Sequence, residues 1–286
     1  STAAGLVPFA IGTETLGSIV SPSTRNGVTG LRPTFGRVSR AGAMALSWSM
    51  DKIGPMARNA FDCALVFDAI RGTDNIDLTV EDHPFNYKGA ADLSNLKVGY
   101  LADYFDPRGR GMREQDSLTL VALRSLGADL KPVKWVSDFP FPAMQSILTA
   151  EAAAAFDALT RSDQDTLLVR QNAGAWPNTF RAARFTSAVD YINANRARYQ
   201  LVQRVNELMK AYDVIVTPSF GGRQLLTTNL TGHPCVVLKN GYDQRGRPTS
   251  ISFIGNLFDE ATILAVARAY QEATDFDEQH PPKFVD

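Results

Sequence analysis

The segment from Gly12 to Gly27, Gly-Thr-Glu-Thr-Leu-Gly-Ser-Ile-Val-Ser-Pro-Ser-Thr-Arg-Asn-Gly, holds the side chains best suited to chemistry. At its centre Ser18 follows a glycine and is reached through Thr15-Leu16-Gly17. Acyl transfer needs a nucleophilic hydroxyl and backbone N–H groups aimed at the oxyanion that develops. A tight glycine-bearing turn just before a serine supplies both. The plain alternative is that Ser18 closes a turn or caps a helix, as most Ser-Gly loops do. A stretch so dense in Gly, Ser, Thr and Pro reads as a loop, and the apolar segments on either side of it place that loop against the core. Glycines there allow positive φ or close backbone approach.

Other chemistries find less support. His83, His233 and His280 lie in loop-like stretches, with no cysteine or second histidine at metal-ligand spacing, and each reads as a solvated loop residue. There is no G-x-S-x-G elbow, no G-x-x-x-x-G-K-[ST] run and no G-x-G-x-x-G after a strand. Cys63 and Cys235 are too far apart in sequence for a disulfide framework or a Cys-rich zinc site. No metal and no cofactor is read from the sequence.

The elements that must position Ser18 follow from pattern. Residues 6–11 read as a short buried strand. A helix is expected at about 59–71, with Asn59 as N-cap, Asp62 in the first turn and Gly72 as the stop. The polar stretch 73–95 reads as an inserted loop, 98–101 as a strand, 113–126 as a helix and 129–135 as a short strand. Residues 142–161 and 186–211 read as helices, the second from Val189, Ile192, Leu201, Val205 and Leu208 at three-to-four spacing. Strands are expected at 213–218, 235–238 and 250–254 around a turn-rich 240–248 loop. Asp259 caps a last helix near 260–273, and the polar tail after Asp275 reads as loosely held. Strands interspersed with long helices indicate an α/β fold, with a mixed β-sheet layered between helices and 1–286 forming a single α/β unit.

The 286 residues are enough for a large core. With 44% hydrophobic and 21% charged residues the chain is ordinary globular material, which excludes a disordered or fibrous protein. A formal net charge of −1 gives no electrostatic case for nucleic acid or a membrane surface. No apolar run approaches transmembrane length. The chain opens on Ser1-Thr2-Ala3-Ala4-Gly5-Leu6-Val7-Pro8-Phe9-Ala10-Ile11, without a signal-peptide pattern. A small, apolar start of that kind is expected inside a packed sheet, so it reads as cut, and a cytoplasmic location is expected.

Residues 12–39, from Gly-Thr-Glu-Thr-Leu-Gly-Ser-Ile-Val-Ser-Pro-Ser to Asn-Gly-Val-Thr-Gly-Leu-Arg-Pro-Thr-Phe-Gly-Arg-Val-Ser, resemble the signature segment of the amidase signature family. The similarity continues through Ser49-Met50-Asp51-Lys52-Ile53-Gly54-Pro55-Met56-Ala57-Arg58, Asp62, Asp213 to Pro218 and Thr231-Gly232-His233-Pro234. It ends on Gly246-Arg247-Pro248 and Ile254-Gly255. Matches spread in order over nearly the whole chain are far more specific than one motif.

The resemblance implies an amidase that cleaves a carboxamide C–N bond through a serine acyl-enzyme, with a serine, a bridging serine and a lysine as its triad. Ser18 falls on the nucleophile, and the backbone N–H groups of Thr15, Leu16, Gly17 and Ser18 fall on the oxyanion hole. The bridging serine and the lysine lie, in the family, further upstream than this chain reaches, and Ser1 is not the bridging serine. The chain is therefore expected to be the C-terminal part of an amidase signature domain, inactive or nearly so by itself. Surface left by the missing part is expected to favour self-association. The expected substrate is a small-molecule amide, with no direct nucleic-acid partner and no membrane.

Glu14 stands where many members have Asp, Leu16 replaces a common glycine or acidic residue, and Val20 a common arginine. That version resembles small-molecule and peptide amidases more than the A subunit of glutamyl/aspartyl-tRNA amidotransferases, which remains the alternative. A non-catalytic scaffold member is the other. Loops 41–50 and 219–230, with Met44, Trp48, Phe220 and Leu225, are expected to shape an apolar pocket.

Overall fold

The structure, a computed structural model, describes residues 1–106 and 114–284. Along the chain come β1 (Phe9–Glu14), α1 (Val20–Asn26), β2 (Thr29–Arg32), β3 (Lys52–Ala57) and α2 (Ala60–Ile70). Then follow β4 (Val98–Leu101), α3 (Glu114–Ser125), β5 (Lys131–Val133), α4 (Phe141–Ala155), α5 (Asp157–Arg161), α6 (Trp176–Ala183) and α7 (Ala188–Met209). The last part holds β6 (Val214–Pro218), α8 (Gln224–Thr231), β7 (Cys235–Tyr242), β8 (Pro248–Gly255) and α9 (Glu260–Thr274). The strands form a single sheet in the order β1-β3-β2-β7-β8-β6-β4-β5. β4 runs parallel to β5 and β6, and the other neighbours are antiparallel. The fold is α/β with a mixed sheet, as the interleaved pattern indicates.

Central strands are buried on both faces, which is why they read as β-branched runs rather than as an alternation. Val214, Val216, Val236, Leu238, Ile251 and Phe253 face a core shared with α2, α3 and α9. Ile215 and Ile254 point the opposite way, into a core built with α4 and α7. Val20 of α1 packs with Cys235 and Val237 of β7.

Helices with a side-chain cap lie where local chemistry sets them. Asn59 accepts from the Asp62 N–H at 2.8 Å, and Asp259 from the Thr262 N–H at 3.3 Å. The 73–95 segment is irregular apart from a short 3-10 turn at Leu93–Asn95, and it is pinned from inside. Buried Arg37 donates to the carbonyls of His83 (2.7 Å) and Pro84 (3.0 Å) and to Glu260 at the head of α9 (3.2 Å).

Several expectations shift. The first strand begins three residues later than the expected start and is an edge strand, with Phe9 and Ile11 43% and 47% exposed. Among the described residues β1 pairs with β3 alone, so apolar residues on it are not enclosed. The 12–27 stretch is a loop only at its centre. Its beginning completes β1, and residues 20–26 wind into α1. β2 and β3 have no sequence-level counterpart, because their pairing joins residues on either side of a long loop. Helices α6 and α8 likewise have none. In α7, Leu201 and Val205 are buried, while Val189 and Ile192 are 67% and 57% exposed, because in the N-terminal half of the helix the inward face is formed by Tyr191, Ala194 and Ala197. Residue 113, the expected start of the third helix, lies outside the described residues. The tail after Asp275 is tied down where Lys239 donates to the Gln279 carbonyl at 3.1 Å and where Arg58 Nη1 lies 2.9 Å from His280 Nε2.

Candidate active site

Glu14, the last residue of β1, sits opposite Lys52 of β3 and turns its side chain into the interior, where it is fully buried. One carboxylate oxygen accepts from the N–H groups of Ile19 (2.8 Å) and Val20 (3.0 Å), the head of α1. The other accepts from Arg32 Nη1 (3.0 Å) and Asn229 Nδ2 (2.8 Å). The turn 15–18 is therefore wound round a buried carboxylate. Burial by itself raises that carboxyl's pKa. The Arg32 guanidinium, the Val20 N–H, Lys52 and Asn229 together outweigh burial and hold it at about 2.

Gly17 has φ +88°, a conformation that disfavours any side chain. Its carbonyl accepts from Ser21 N at 2.7 Å, which closes the turn. Because Glu14 occupies the first N–H groups of the helix, those of Thr15, Leu16, Gly17 and Ser18 remain. Among the described residues no protein acceptor takes any of these four. Ser18 is exposed and lines a cavity of about 620 Å3 together with Thr13, Thr15, Asp51 and Lys52. Its hydroxyl has no hydrogen-bond partner among the described residues.

The neighbouring loop is fixed from several sides. Thr15 Oγ1 donates to Asp51 at 2.5 Å, and the other Asp51 oxygen accepts from the N–H groups of Leu46 and Ser47. Glu151 of α4 accepts from Ser47 Oγ, Ser49 N and Tyr191 OH. Arg198 of α7 donates to Ser49 and to the Leu230 carbonyl. Tyr191 and Arg198 thus do more than line a core helix: they anchor the 46–50 loop. Gly54 lets β3 lie against β2, since a side chain there would meet the Leu31 carbonyl oxygen at 2.0 Å.

Two residues depart from their sequence reading. Lys52, which no pattern in the sequence sets apart from the other lysines, is 2% exposed, lines the cavity with Ser18 and donates to the Met50 carbonyl. Burial and the Arg32 guanidinium push its pKa well below that of a free lysine. His233 is no solvated loop residue. It is buried, its Nδ1 lies 2.8 Å from Thr231 Oγ1, and its carbonyl accepts from Arg32 Nη2 at 2.9 Å. Burial, then Arg32, lowers its pKa to about 3, against an ordinary 6.5. A histidine kept neutral in the folded state and protonated in the unfolded state stabilises fully above pH 6.5, and the contribution is lost as pH falls through 6.5 towards 3. Urea titrations at pH 6 and 5 are expected to show a stability slope in wild type that is smaller in His233→Gln, by up to about 1.4 kcal/mol per pH unit. Equal slopes in the two proteins would contradict the burial argument.

Of the expected pocket residues, Met44 and Trp48 line the cavity, whereas Phe220 and Leu225 do not. The lining also includes Phe156, Leu159, Leu168, Trp176 and Phe180, which sequence pattern does not single out. A tryptophan beside a proline at the start of a short helix is the one signal available.

The mixed sheet between helix layers is a fold shared with solved amidase structures. The family model for amidases matches residues 1–226, and the chain belongs to that family. The A subunit of glutamyl-tRNA(Gln) amidotransferase from Roseiflexus sp. (strain RS-1) is 33% identical over 326 aligned positions, covering 98% of this chain and 66% of the relative. The peptide amidase of Stenotrophomonas maltophilia has a solved structure 28% identical, with a TM-score of 0.77, covering 96% of this chain and 64% of that one. The A subunit of the Thermotoga maritima glutamyl-tRNA(Gln) amidotransferase, 23% identical with a TM-score of 0.77, shares the fold over 98% of this chain and 66% of its own. The chain thus spans just under two thirds of the length of the curated relatives it matches. Among the described residues no helix is long and apolar enough to cross a membrane.

Proposed function

We propose that this chain carries the nucleophile of an amidase that cleaves a carboxamide C–N bond. Ser18 Oγ attacks the amide carbonyl carbon, and the N–H groups of Thr15, Leu16, Gly17 and Ser18 hold the oxyanion. The C–N bond breaks, the nitrogen leaves as amine or ammonia with the proton taken from Ser18, and water then hydrolyses the ester to acid and free serine. The observation that carries this reading is the turn itself: four N–H groups unengaged among the described residues, beside an exposed serine on a cavity, held in place by buried Glu14.

None of the described residues hydrogen-bonds Ser18 Oγ as a proton acceptor. Residues 1–286 act, in this reading, as a single α/β unit that is the C-terminal part of an amidase signature domain. Turnover waits on a lysine and bridging serine from the upstream part, and the chain alone hydrolyses amides poorly. The open edge of β1, with Phe9 and Ile11, is the surface through which it associates with itself or with that part.

A second reading is the A subunit of a tRNA amidotransferase, favoured by the 33% identical Roseiflexus relative of that name. It requires glutamine-dependent ammonia release and a partner protein. The test of the common step is intact-mass labelling of the complete gene product with a fluorophosphonate, followed by peptide mapping. The label is expected on Ser18. A stoichiometric label on any other serine overturns the assignment.

A further inference from the structure

Phe180 lies between Phe156 (ring centroids 4.8 Å, planes 11° apart) and Trp176 (5.5 Å, 26°), forming a three-ring stack in the cavity wall. Phe180 is buried inside the stack, while Trp176 at its end is 45% exposed. An indole left that open is a surface to which a further ring can be added at low cost. Met44, Trp48 and Leu168, all exposed, complete an apolar surround on the same cavity as Ser18.

The charged groups on this cavity are already paired. Arg40 binds Asp77 at 2.8 Å through Nε and spends its other nitrogens on Asp77, Thr79 and the Trp48 carbonyl. Both Asp51 oxygens are taken by Thr15, Leu46 and Ser47. Lys52 is buried against the Met50 carbonyl. A free amino acid amide brings an ammonium and a carboxylate, each of which loses hydration on entry and needs a free partner in return. The charged groups of the lining offer them none, and the ring stack offers an aromatic acyl group apolar contact.

We infer that the Trp176-ended stack is the acyl subsite, and that the amide cleaved at Ser18 is uncharged with an aryl-bearing acyl chain, not free glutamine. This rests on the acyl-enzyme reading of Ser18 and sharpens its substrate class.

Binding measured without turnover separates the two. In the Ser18→Ala chain, isothermal titration with 4-phenylbutyramide is expected to give a Kd at least about tenfold lower than with acetamide or glutamine. Trp176→Ala in that background is expected to weaken 4-phenylbutyramide about tenfold, and Trp176→Phe, which keeps a ring, by less than about threefold. Circular dichroism of both variants confirms that each is folded. Glutamine or acetamide binding as tightly as 4-phenylbutyramide overturns the inference, as does unchanged binding in a folded Trp176→Ala chain. Failure of Ser18 to be acylated leaves these binding results standing and overturns only the catalytic reading.

Discussion

Ser18→Ala is expected to lower amide hydrolysis by the complete gene product by about a thousandfold or more, since removing the nucleophile of an acyl-enzyme pathway removes the step itself. The measurement is ammonia release from a simple amide at saturating substrate. The effect should fall on kcat, with substrate affinity little changed, because Ser18 is a small part of the cavity lining. The hydroxyl makes no hydrogen bond among the described residues, so Ser18→Ala costs the fold little. An unaltered rate in the folded variant would assign the chemistry to another group and return the chain to the scaffold reading.

Arg32→Met is expected to lower the unfolding free energy by about 3–5 kcal/mol, the usual loss when one half of a buried ion pair is removed. Both Arg32 and Glu14 are fully buried, and Arg32 also donates to the His233 carbonyl. The size of the acid response is the sharper test. In wild type the Glu14 carboxyl, held at about 2 against 4.5 for a free glutamate, contributes stability that is complete above pH 4.5 and lost as pH falls through that range. That contribution is about 3 kcal/mol. Without Arg32, burial is opposed only by the Val20 N–H, Lys52 and Asn229, so the carboxyl moves up from about 2 and the variant should lose less stability on acidification than wild type does. Urea midpoints at pH 5 and 3, with His233→Gln in both backgrounds to remove the histidine contribution, separate the cases. A loss below about 1 kcal/mol at neutral pH would mean that the turn does not depend on this pair.

Helices with a strong local start are legible in the sequence. Asn59 before α2 and Asp259 before α9 are capping residues followed by apolar periodicity, and both helices lie within one or two residues of expectation. β6 is legible too, as a short β-branched run ended by Pro218, and so is β4, a short apolar run between polar segments. β2 and β3 are not. Thr29–Arg32 and Lys52–Ala57 contain Gly, Pro, Arg and Lys, and they are strands only because the chain returns across a long loop to pair them. Residues 20–26 read as loop because Ser, Pro, Thr and Asn are poor helix formers. They wind because Glu14 supplies acceptors for the first N–H groups.

The sequence alone determined the α/β class, the order of the family's segments and the position of the Gly17-Ser18 turn, all of which are local or ordered along the chain. The tertiary structure decided what surrounds that turn. Glu14, Arg32, Asn229 and the His233 carbonyl form one buried knot from distant places in the chain, and the ring stack on the same cavity as Ser18 is built from residues 156 to 180. Pattern in a sequence reports which face of an element is buried, through periodicity over a few turns. It carries no information on which distant carboxylate meets which guanidinium, because that choice is made by sheet pairing and by the desolvation that packing imposes.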